Sequence, residues 1–206
     1  MLNLFRMESK PLGVERIKAF LEDNYVSIGY PGIGDLENIS MEELRDRLIA
    51  TYHYSEDELT QHLQVLNLFV NTMQDGDYVL VRDGDWVHLG DLGDYFYYEL
   101  LDNKDNGTCH RRGVTWLKSF PITALNAAAR AFLNEAGSLV QYKGVLPSAR
   151  MDLWITGSAS ELDENGEVQV DTETIAKALH ILKEALSCDD ANRRERAAIA
   201  ILQYVK

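Results

Sequence analysis

The fold is decided by the stretch Tyr78-Val79-Leu80-Val81-Arg82-Asp83-Gly84-Asp85-Trp86-Val87-His88-Leu89. Two runs rich in apolar and β-branched residues flank Asp83-Gly84, a dipeptide typical of two-residue hairpin turns. Further along, runs at 95–101 and 108–117 flank a second turn region with Asn106-Gly107. The sequence therefore predicts a meander of four antiparallel strands, which the strand predicted at 25–30 can close into a small barrel.

Helical patterns precede and follow these strands. Ser40 and Ser55 each begin a Ser-x-x-Glu pattern, in which both side chains satisfy free backbone N–H groups of a first helical turn. They predict two helices that form an insert over residues 40–74. Apolar residues at three- and four-residue spacing predict further helices, at 14–21 before the strands and at 121–136, 172–186 and 191–205 after them.

The predicted fold class is α+β in two parts. Residues 1–118 form a small β-barrel module with the helical insert 40–74, and residues 119–206 form a C-terminal helical subdomain. Between the helices predicted at 121–136 and 172–186, residues 158–171 contain five acidic residues and no basic one, which predicts a solvated loop. The C-terminal helices are expected to pack onto 121–136 or to form a homodimer interface, and their apolar stripes fit both.

Composition narrows the function. The 206 residues carry a net charge of −13, which argues against a general binder of the phosphate backbone. Any contact with nucleic acid therefore depends on a local patch, for which Arg82, Arg111, Arg112 and Lys118 are the candidates. Two isolated cysteines and the lack of a signal peptide or long apolar run predict a cytoplasmic protein with no membrane contact.

Familiar catalytic patterns do not occur. The sequence lacks a Gly-x-x-x-x-Gly-Lys-Ser/Thr loop, a Gly-x-Ser-x-Gly elbow and a His-Glu-x-x-His helix. Cys109 and His110 are neighbours in a predicted strand, so their side chains point to opposite faces and cannot easily act together. The many aspartates of 75–94 fall where turns need Asp. We therefore expect no enzyme, no metal site and no cofactor.

The last predicted strand places His110, Arg112, Val114 and Trp116 on one face. Such a face, near the tyrosines of 95–98, can stack on a nucleobase and hydrogen-bond its edge. The alternative is that these aromatic residues form the core and the cross-strand pairs of the barrel. The residues alone leave both interpretations open.

An ordered series of short motifs resembles a known family. The series comprises strand 25–30 with Gly29, Gly34-Asp35-Leu36, Leu68-Phe69 with Met73, Gly76-Asp77-Tyr78-Val79, His88-Leu89-Gly90, Tyr95 with Tyr97, and His110-Arg111-Arg112-Gly113-Val114-Thr115-Trp116-Leu117. Over residues 14–118 it is similar to EVE-like modules of the PUA-like superfamily. These modules are the N-terminal reader domains of modification-dependent restriction endonucleases of the Mrr and McrB kind.

The resemblance implies a PUA-like barrel that receives a modified or flipped nucleobase in an aromatic-walled pocket. Carried over by position, the pocket involves Tyr30, Asp35, Tyr95, His110 and Trp116, and Arg112 joins them as a neighbour on the same strand face. The family's usual Trp is Tyr30 here. No nuclease or GTPase pattern follows in 119–206.

Two functions are carried forward. The first is a non-catalytic reader of a modified or flipped nucleobase, in DNA, RNA or a nucleotide, with a link to restriction or phage defence. The alternative is an acidic protein-interaction or nucleic-acid-mimic protein that acts on a basic protein partner. Its support is the charge of −13 and the acidic stretch 161–171.

Overall fold

The structure is a computed structural model that describes residues 2–147, 151–157 and 172–187, together with Arg194, Ala198 and Ile201; of residues 172–178 it describes the backbone. The chain divides into two compact units, residues 1–159 and 160–206. The first unit holds the sheet and most helices. In the second, the described helix is α6 (Thr172–Ala185), which confirms the helix predicted at 172–186.

The first unit is built on a six-stranded sheet that curls into a half-barrel. Its spatial order is β2-β5-β4-β3-β1-β6. The strands are β1 (Leu4–Met7), β2 (Tyr25–Ile28), β3 (Tyr78–Asp83), β4 (Trp86–Tyr97), β5 (His110–Pro121) and β6 (Leu139–Gln141). The mixed α+β class is confirmed. The sheet is an open half-barrel, however, because β2 pairs with β5 and forms one end instead of closing a barrel.

The hairpin around Asp83-Gly84 is confirmed, with Arg82 opposite Val87 and Asp83 opposite Trp86. Gly84 adopts a φ of +55°, which the turn requires and which glycine reaches without steric cost. The prediction of separate strands at 85–89 and 95–101 was wrong, since β4 runs through Tyr97 without a turn. Register shifts at 89/90 and 92/95 bend this long strand instead.

Two short strands were not predicted. β1 pairs in parallel with β3, and β6 pairs antiparallel with β1 at the far end of the sheet. The β-rich part therefore continues beyond the predicted boundary at 118, which falls inside β5. The carboxylate of Asp77 fixes the start of β1, because its Oδ1 accepts a hydrogen bond of 2.8 Å from the backbone N of Asn3.

The helices of the first unit are α1 (Ile17–Glu22), α2 (Met41–Thr51), α3 (Glu56–Asn67), α4 (Ala127–Leu133) and α5 (Met151–Thr156). Both predicted starts of the insert are confirmed. Ser40 caps α2 by accepting from the backbone N of Glu43, and Ser55 with Glu58 forms a reciprocal capping box on α3. The helix predicted at 121–136 is shorter than expected, because β5 extends to Pro121.

The insert packs against the sheet through one apolar core. Fully buried residues of β1, β3, α2 and α3 meet there, among them Phe5, Val79, Leu48 and Leu66. α3 continues as a π-helical turn, Leu68–Thr72, whose Phe69 is also fully buried. The predicted loop 158–171 and Cys188 lie outside the described residues. The same holds for the predicted helix 191–205, except for Arg194, Ala198 and Ile201.

Within the described ranges, no helix combines the length and the apolar character needed to cross a membrane. Those ranges also hold no cluster of three or more His, Cys, Asp or Glu side chains arranged to bind a metal ion.

Candidate ligand-binding site

His110 connects β5 to the segment that follows β2. Its imidazole is fully buried, with Nε2 3.1 Å from the backbone oxygen of Tyr30 and Nδ1 2.9 Å from the hydroxyl of Tyr95. Burial lowers the pKa of His110, so the ring is neutral and has one donor and one acceptor. Because the oxygen of Tyr30 only accepts, Nε2 carries the proton and Nδ1 accepts from Tyr95.

The segment 31–36 is fixed by further hydrogen bonds from distant parts of the chain. The Tyr52 hydroxyl donates to the Pro31 oxygen, the Gly32 N–H donates to the Asp102 carboxylate, and the Arg47 guanidinium donates to the oxygens of Ile33 and Asp35. The Leu36 N–H donates to the Tyr95 hydroxyl over 3.3 Å. The segment is therefore a rigid support for Tyr30.

The two ends of the curled sheet line one cavity of about 260 Å³, which we call the edge cavity. One wall comes from β2 and the residues after it, and another comes from the end of β1 and the residue before β6. α3 and the turn at 10–12 complete it. Its lining residues are Met7, Glu8, Lys10, Pro11, Leu12, Ser27, Ile28, Gly29, Tyr30, Tyr54, His62, Val65 and Ser138.

Aromatic rings form the α3 side of the edge cavity. The rings of Tyr54 and His62 stack with centroids 4.1 Å apart, and Tyr30 meets His62 edge to face at 5.5 Å. The hydroxyl of Tyr30 lies 2.8 Å from Nδ1 of His62. Burial lowers the pKa of His62 and raises that of Tyr30, so both groups are neutral at pH 7. The wall is thus aromatic and carries neutral donors and acceptors.

Ser27 is the most informative polar residue of the edge cavity. It is 1% exposed, and its hydroxyl has no hydrogen-bond partner among the described residues. A buried hydroxyl without a partner costs about 1–3 kcal/mol, and most buried polar groups avoid this cost.

The turn at 10–13 covers part of the edge cavity. Leu12 holds a φ of +53°, unusual for a residue with a side chain, and is still 45% exposed. Its backbone passes so close to β2 that a Cβ on Gly29 would lie 2.8 Å from the Leu12 nitrogen. Gly29 is therefore required for this turn to pack over the cavity.

The predicted site residues separate into different locations. Tyr30 lines the edge cavity, and His110 and Tyr95 lie behind it as support. Asp35 is exposed, and its carboxylate caps the N–H of Glu37. Trp116 is six residues along β5 from His110, about 20 Å at the usual rise of a strand. Its indole N–H donates to the Phe20 oxygen over 2.9 Å.

Arg112 holds the π-helical turn to the sheet. Its buried guanidinium donates to the backbone oxygens of Phe69, Val70, Met73 and Gly93, over distances of 2.6–3.0 Å. Three of these oxygens belong to the end of the helix, where carbonyl groups otherwise have no partner. The structure thus gives Arg112 a full set of protein partners.

Tyr95 and Arg112 also line a second cavity of about 810 Å³, on the side of the π-helical turn. Acidic and amide side chains form most of its wall: Glu37, Asn38, Asn71, Gln74, Asp75 and Asp94. Burial and the neighbouring Asp75 raise the pKa of Asp91, which lies in β4. The second cavity is thus wide and acidic, unlike the small aromatic edge cavity.

Sequence reasoning missed Ser27, Tyr54 and His62. Tyr54 stacks on Tyr52 as well as on His62, with centroids 5.1 Å apart from Tyr52. A usable signal was the run Tyr52-His53-Tyr54, which places two aromatic rings directly before the capping box of α3. Ser27 gave no signal, because a serine in a strand is ordinary.

These features define a mixed α+β protein whose curled sheet and helical insert border a cavity of about 260 Å³. The chain belongs to the family described as a domain of unknown function, DUF8426, whose model matches residues 13–134. The match spans α1 to α4 and includes Ser27, Tyr30, Tyr54 and His62. No curated protein and no solved structure matches the chain.

Proposed function

We propose that this protein is a non-catalytic binding module that takes a modified or flipped nucleobase into the edge cavity. The observation that carries the proposal is the cavity wall of Tyr30, Tyr54 and His62, next to the buried, unpartnered hydroxyl of Ser27. Nucleobases combine flat π-faces with hydrogen-bonding edges, and proteins bind them by stacking and by edge contacts.

The size of the edge cavity supports a small, flat ligand. At about 260 Å³ it lies below the range of roughly 300–1,000 Å³ typical of sites for drug-sized molecules. Met7, Ile28 and Val65 supply apolar contacts, which favour a base that carries an added apolar group. The rigid support of the segment 30–36 keeps the entropic cost of binding low.

The resemblance to EVE-like modules of the PUA-like superfamily points the same way. It concerns residues 14–118 and places Tyr30 at the position of an aromatic pocket residue. Within this proposal the protein acts in the recognition of modified nucleic acid, in restriction or phage defence, and needs no cofactor. The charge of −13 means that selectivity comes from one base and not from many phosphate contacts.

A thermal-shift screen tests the proposal. The purified protein is mixed with nucleosides, nucleotides and short oligonucleotides, each in modified and unmodified form. A ligand at 100 times its Kd should stabilise the fold by about 2.7 kcal/mol. We expect a shift that is confined to modified species.

Two variants assign such a shift to the edge cavity. Tyr54→Ala removes an aromatic residue of the cavity wall and should abolish the shift, whereas Tyr98→Ala removes a half-exposed tyrosine outside the cavity and should leave it unchanged. If no nucleobase-containing compound shifts the wild-type protein, the reader function is rejected. If both variants retain the shift equally, binding occurs elsewhere.

An acidic interaction protein is the second candidate. The second cavity favours it, since Glu37, Asp75 and Asp94 present carboxylates around an open depression. A basic peptide such as oligolysine should then bind the wild-type protein and bind an Asp75→Asn/Asp94→Asn variant more weakly. Equal binding by both proteins would exclude the second cavity from this role.

A further inference from the structure

A third cavity, distinct from the acidic second cavity, adjoins the edge cavity. It has a volume of about 410 Å³ and shares Met7, Glu8 and Lys10 with the lining of the edge cavity. We call it the Arg6 recess, after its most buried charged residue. Its other lining residues include Ser9, Arg82, Asn134 and Glu135. The two spaces are therefore neighbours, separated by the shared residues at the end of β1, and the recess is the larger of the two.

Arg6 is a buried cation with incomplete pairing. Its side chain is 6% exposed, and its Nε has no hydrogen-bond partner among the described residues. Nη2 donates to the Glu135 backbone oxygen. The carboxylate of Glu8 approaches Nη1 only to 3.8 Å and is itself 56% exposed. A buried guanidinium normally has a close anionic partner, because the loss of hydration is otherwise costly.

Two further cations line the Arg6 recess, Lys10 and Arg82, and Ser9 and Asn134 add neutral polar groups. Guanidinium and ammonium groups with hydroxyl and amide donors are the groups that bind phosphate oxygens. They come from three separate parts of the chain: the end of β1, the β3–β4 hairpin and the end of α4.

Four carboxylates and three cations line the recess, and the four acidic residues, Glu8, Glu15, Asp83 and Glu135, are all exposed. The side chains of Glu8, Glu15 and Asp83 are 48–56% exposed, so water and salt screen their charges. Oε1 of Glu15 accepts from the Ile17 N–H over 3.0 Å, and its Oε2 lies 3.9 Å from Nζ of Lys10. Arg6 is therefore the buried charge of the recess, while the four exposed carboxylates disfavour ligands with several negative charges.

We propose that the Arg6 recess binds the phosphate group attached to the nucleoside whose base occupies the edge cavity. This inference rests on the proposed function and specifies its ligand as a phosphorylated nucleotide unit. The buried Arg6 binds the phosphate inside the recess, and the exposed Lys10 and Arg82 bind it at the opening. A single phosphate fits a protein of charge −13, since one local contact is enough.

The test compares matched ligands by isothermal titration calorimetry on the full chain. The probes are inorganic phosphate, the common and methylated nucleosides, and their 3′- and 5′-monophosphates. Dinucleotides with one internal phosphodiester distinguish a nucleic-acid strand from a free nucleotide. We expect a nucleotide or dinucleotide to bind at least 10-fold more tightly than its nucleoside.

The variants Lys10→Gln and Arg82→Gln change half-exposed or exposed side chains, so both should fold. Arg82→Gln should reduce nucleotide affinity at least 3-fold and leave nucleoside affinity unchanged. Lys18→Gln, on α1 and outside both cavities, is the matched control and should bind like wild type.

The outcomes separate the two proposals. Equal affinity for nucleoside and nucleotide would overturn the phosphate site and leave the base site intact. Binding of inorganic phosphate and nucleotides without any nucleoside, lost in Arg82→Gln, would support the recess and reject the base site. Absence of binding to every probe would overturn both.

Discussion

Nε2 of His110 donates to the backbone oxygen of Tyr30, and this bond fixes the one predicted site residue that lines the edge cavity. The same imidazole accepts from Tyr95, so both of its nitrogens are used inside the protein. His110 therefore positions Tyr30 and is not itself free to contact a ligand. A histidine with no exposure thus shapes the wall of the edge cavity through Tyr30.

Replacement of His110 by Ala should destabilise the fold. The change removes two hydrogen bonds and leaves the Tyr30 oxygen and the Tyr95 hydroxyl without this partner, so we expect a loss of about 2–4 kcal/mol in the free energy of unfolding. Urea denaturation measures it. His53→Ala, at an exposed position, should change stability by less than about 0.5 kcal/mol. Equal effects of both substitutions would contradict the anchoring role.

Stability should fall as the pH drops from 7.5 to 5.5. Burial lowers the pKa of His62, His88 and His110 below the unfolded value of about 6.5. In this window the unfolded chain binds more protons than the folded one, which favours unfolding. Carboxylates titrate mainly at lower pH. Urea midpoints measured across the window test this, and a flat or rising stability toward pH 5.5 would refute it.

Arg112→Met should be among the most damaging substitutions. It keeps apolar volume but leaves four backbone oxygens without their donor, which we expect to cost about 3–5 kcal/mol. The matched control is Arg45→Met, which removes a single exposed ion pair with Glu56 and should cost less than about 1 kcal/mol. Chemical denaturation of both proteins measures these losses in the free energy of unfolding. A small loss in Arg112→Met would mean that water replaces the guanidinium.

Gly29→Ala should displace the turn that covers the edge cavity. Its new Cβ would lie 2.8 Å from the Leu12 nitrogen and 2.9 Å from Cγ, and such overpacking costs about 1–3 kcal/mol. In Gly113→Ala the Cβ meets nothing within 4 Å, so that variant is the control. Thermal unfolding and hydrogen exchange of residues 10–13 report the two effects. Unchanged exchange in Gly29→Ala would show that the turn does not depend on this glycine.

Two serines should respond in opposite ways to replacement by alanine. Ser27→Ala removes a hydroxyl that has no partner, so the stability of the free protein should stay equal or rise. Ser55→Ala removes a helix cap and should cost about 1 kcal/mol. Denaturation curves recorded without ligand compare them. A clear loss of stability in Ser27→Ala would show that its hydroxyl is satisfied in solution.

Local chemistry made part of the fold predictable. The Asp83-Gly84 turn and the Ser-x-x-Glu starts at Ser40 and Ser55 each depend on residues within four positions, and all three are confirmed. β1 and β6 have four and three residues, and their pairing depends on strands far away in the sequence. No local pattern of such short segments distinguishes them from loops.

The merging of two predicted strands into β4 has a different cause. The predicted break between the strands at 85–89 and 95–101 contains Gly90 and Gly93. In the structure a Cβ on Gly90 would collide with Val114, so this glycine allows close packing between β4 and β5. A glycine in a strand signals a turn or a close approach equally well, and the sequence does not separate them.

The candidate site was predictable only in its strand component. Tyr30 follows a strand pattern and a motif, whereas Tyr54 and His62 become wall residues because α3 packs near both ends of the sheet. That packing joins residues from β1 to Ser138, a span of more than a hundred positions. Trp116 and Arg112 share the predicted strand face, but their partners are backbone oxygens that no sequence pattern reveals.

The open half-barrel leaves the width of the edge cavity independent of strand pairing. β2 and β6 end the sheet on either side of the edge cavity, and no ladder of strand hydrogen bonds fixes the gap between them. α3 and the turn at 10–13 span this gap, so the packing of these two elements sets its width. Substitutions in α3 or in the turn at 10–13 can therefore widen or narrow the opening while every strand pair stays intact.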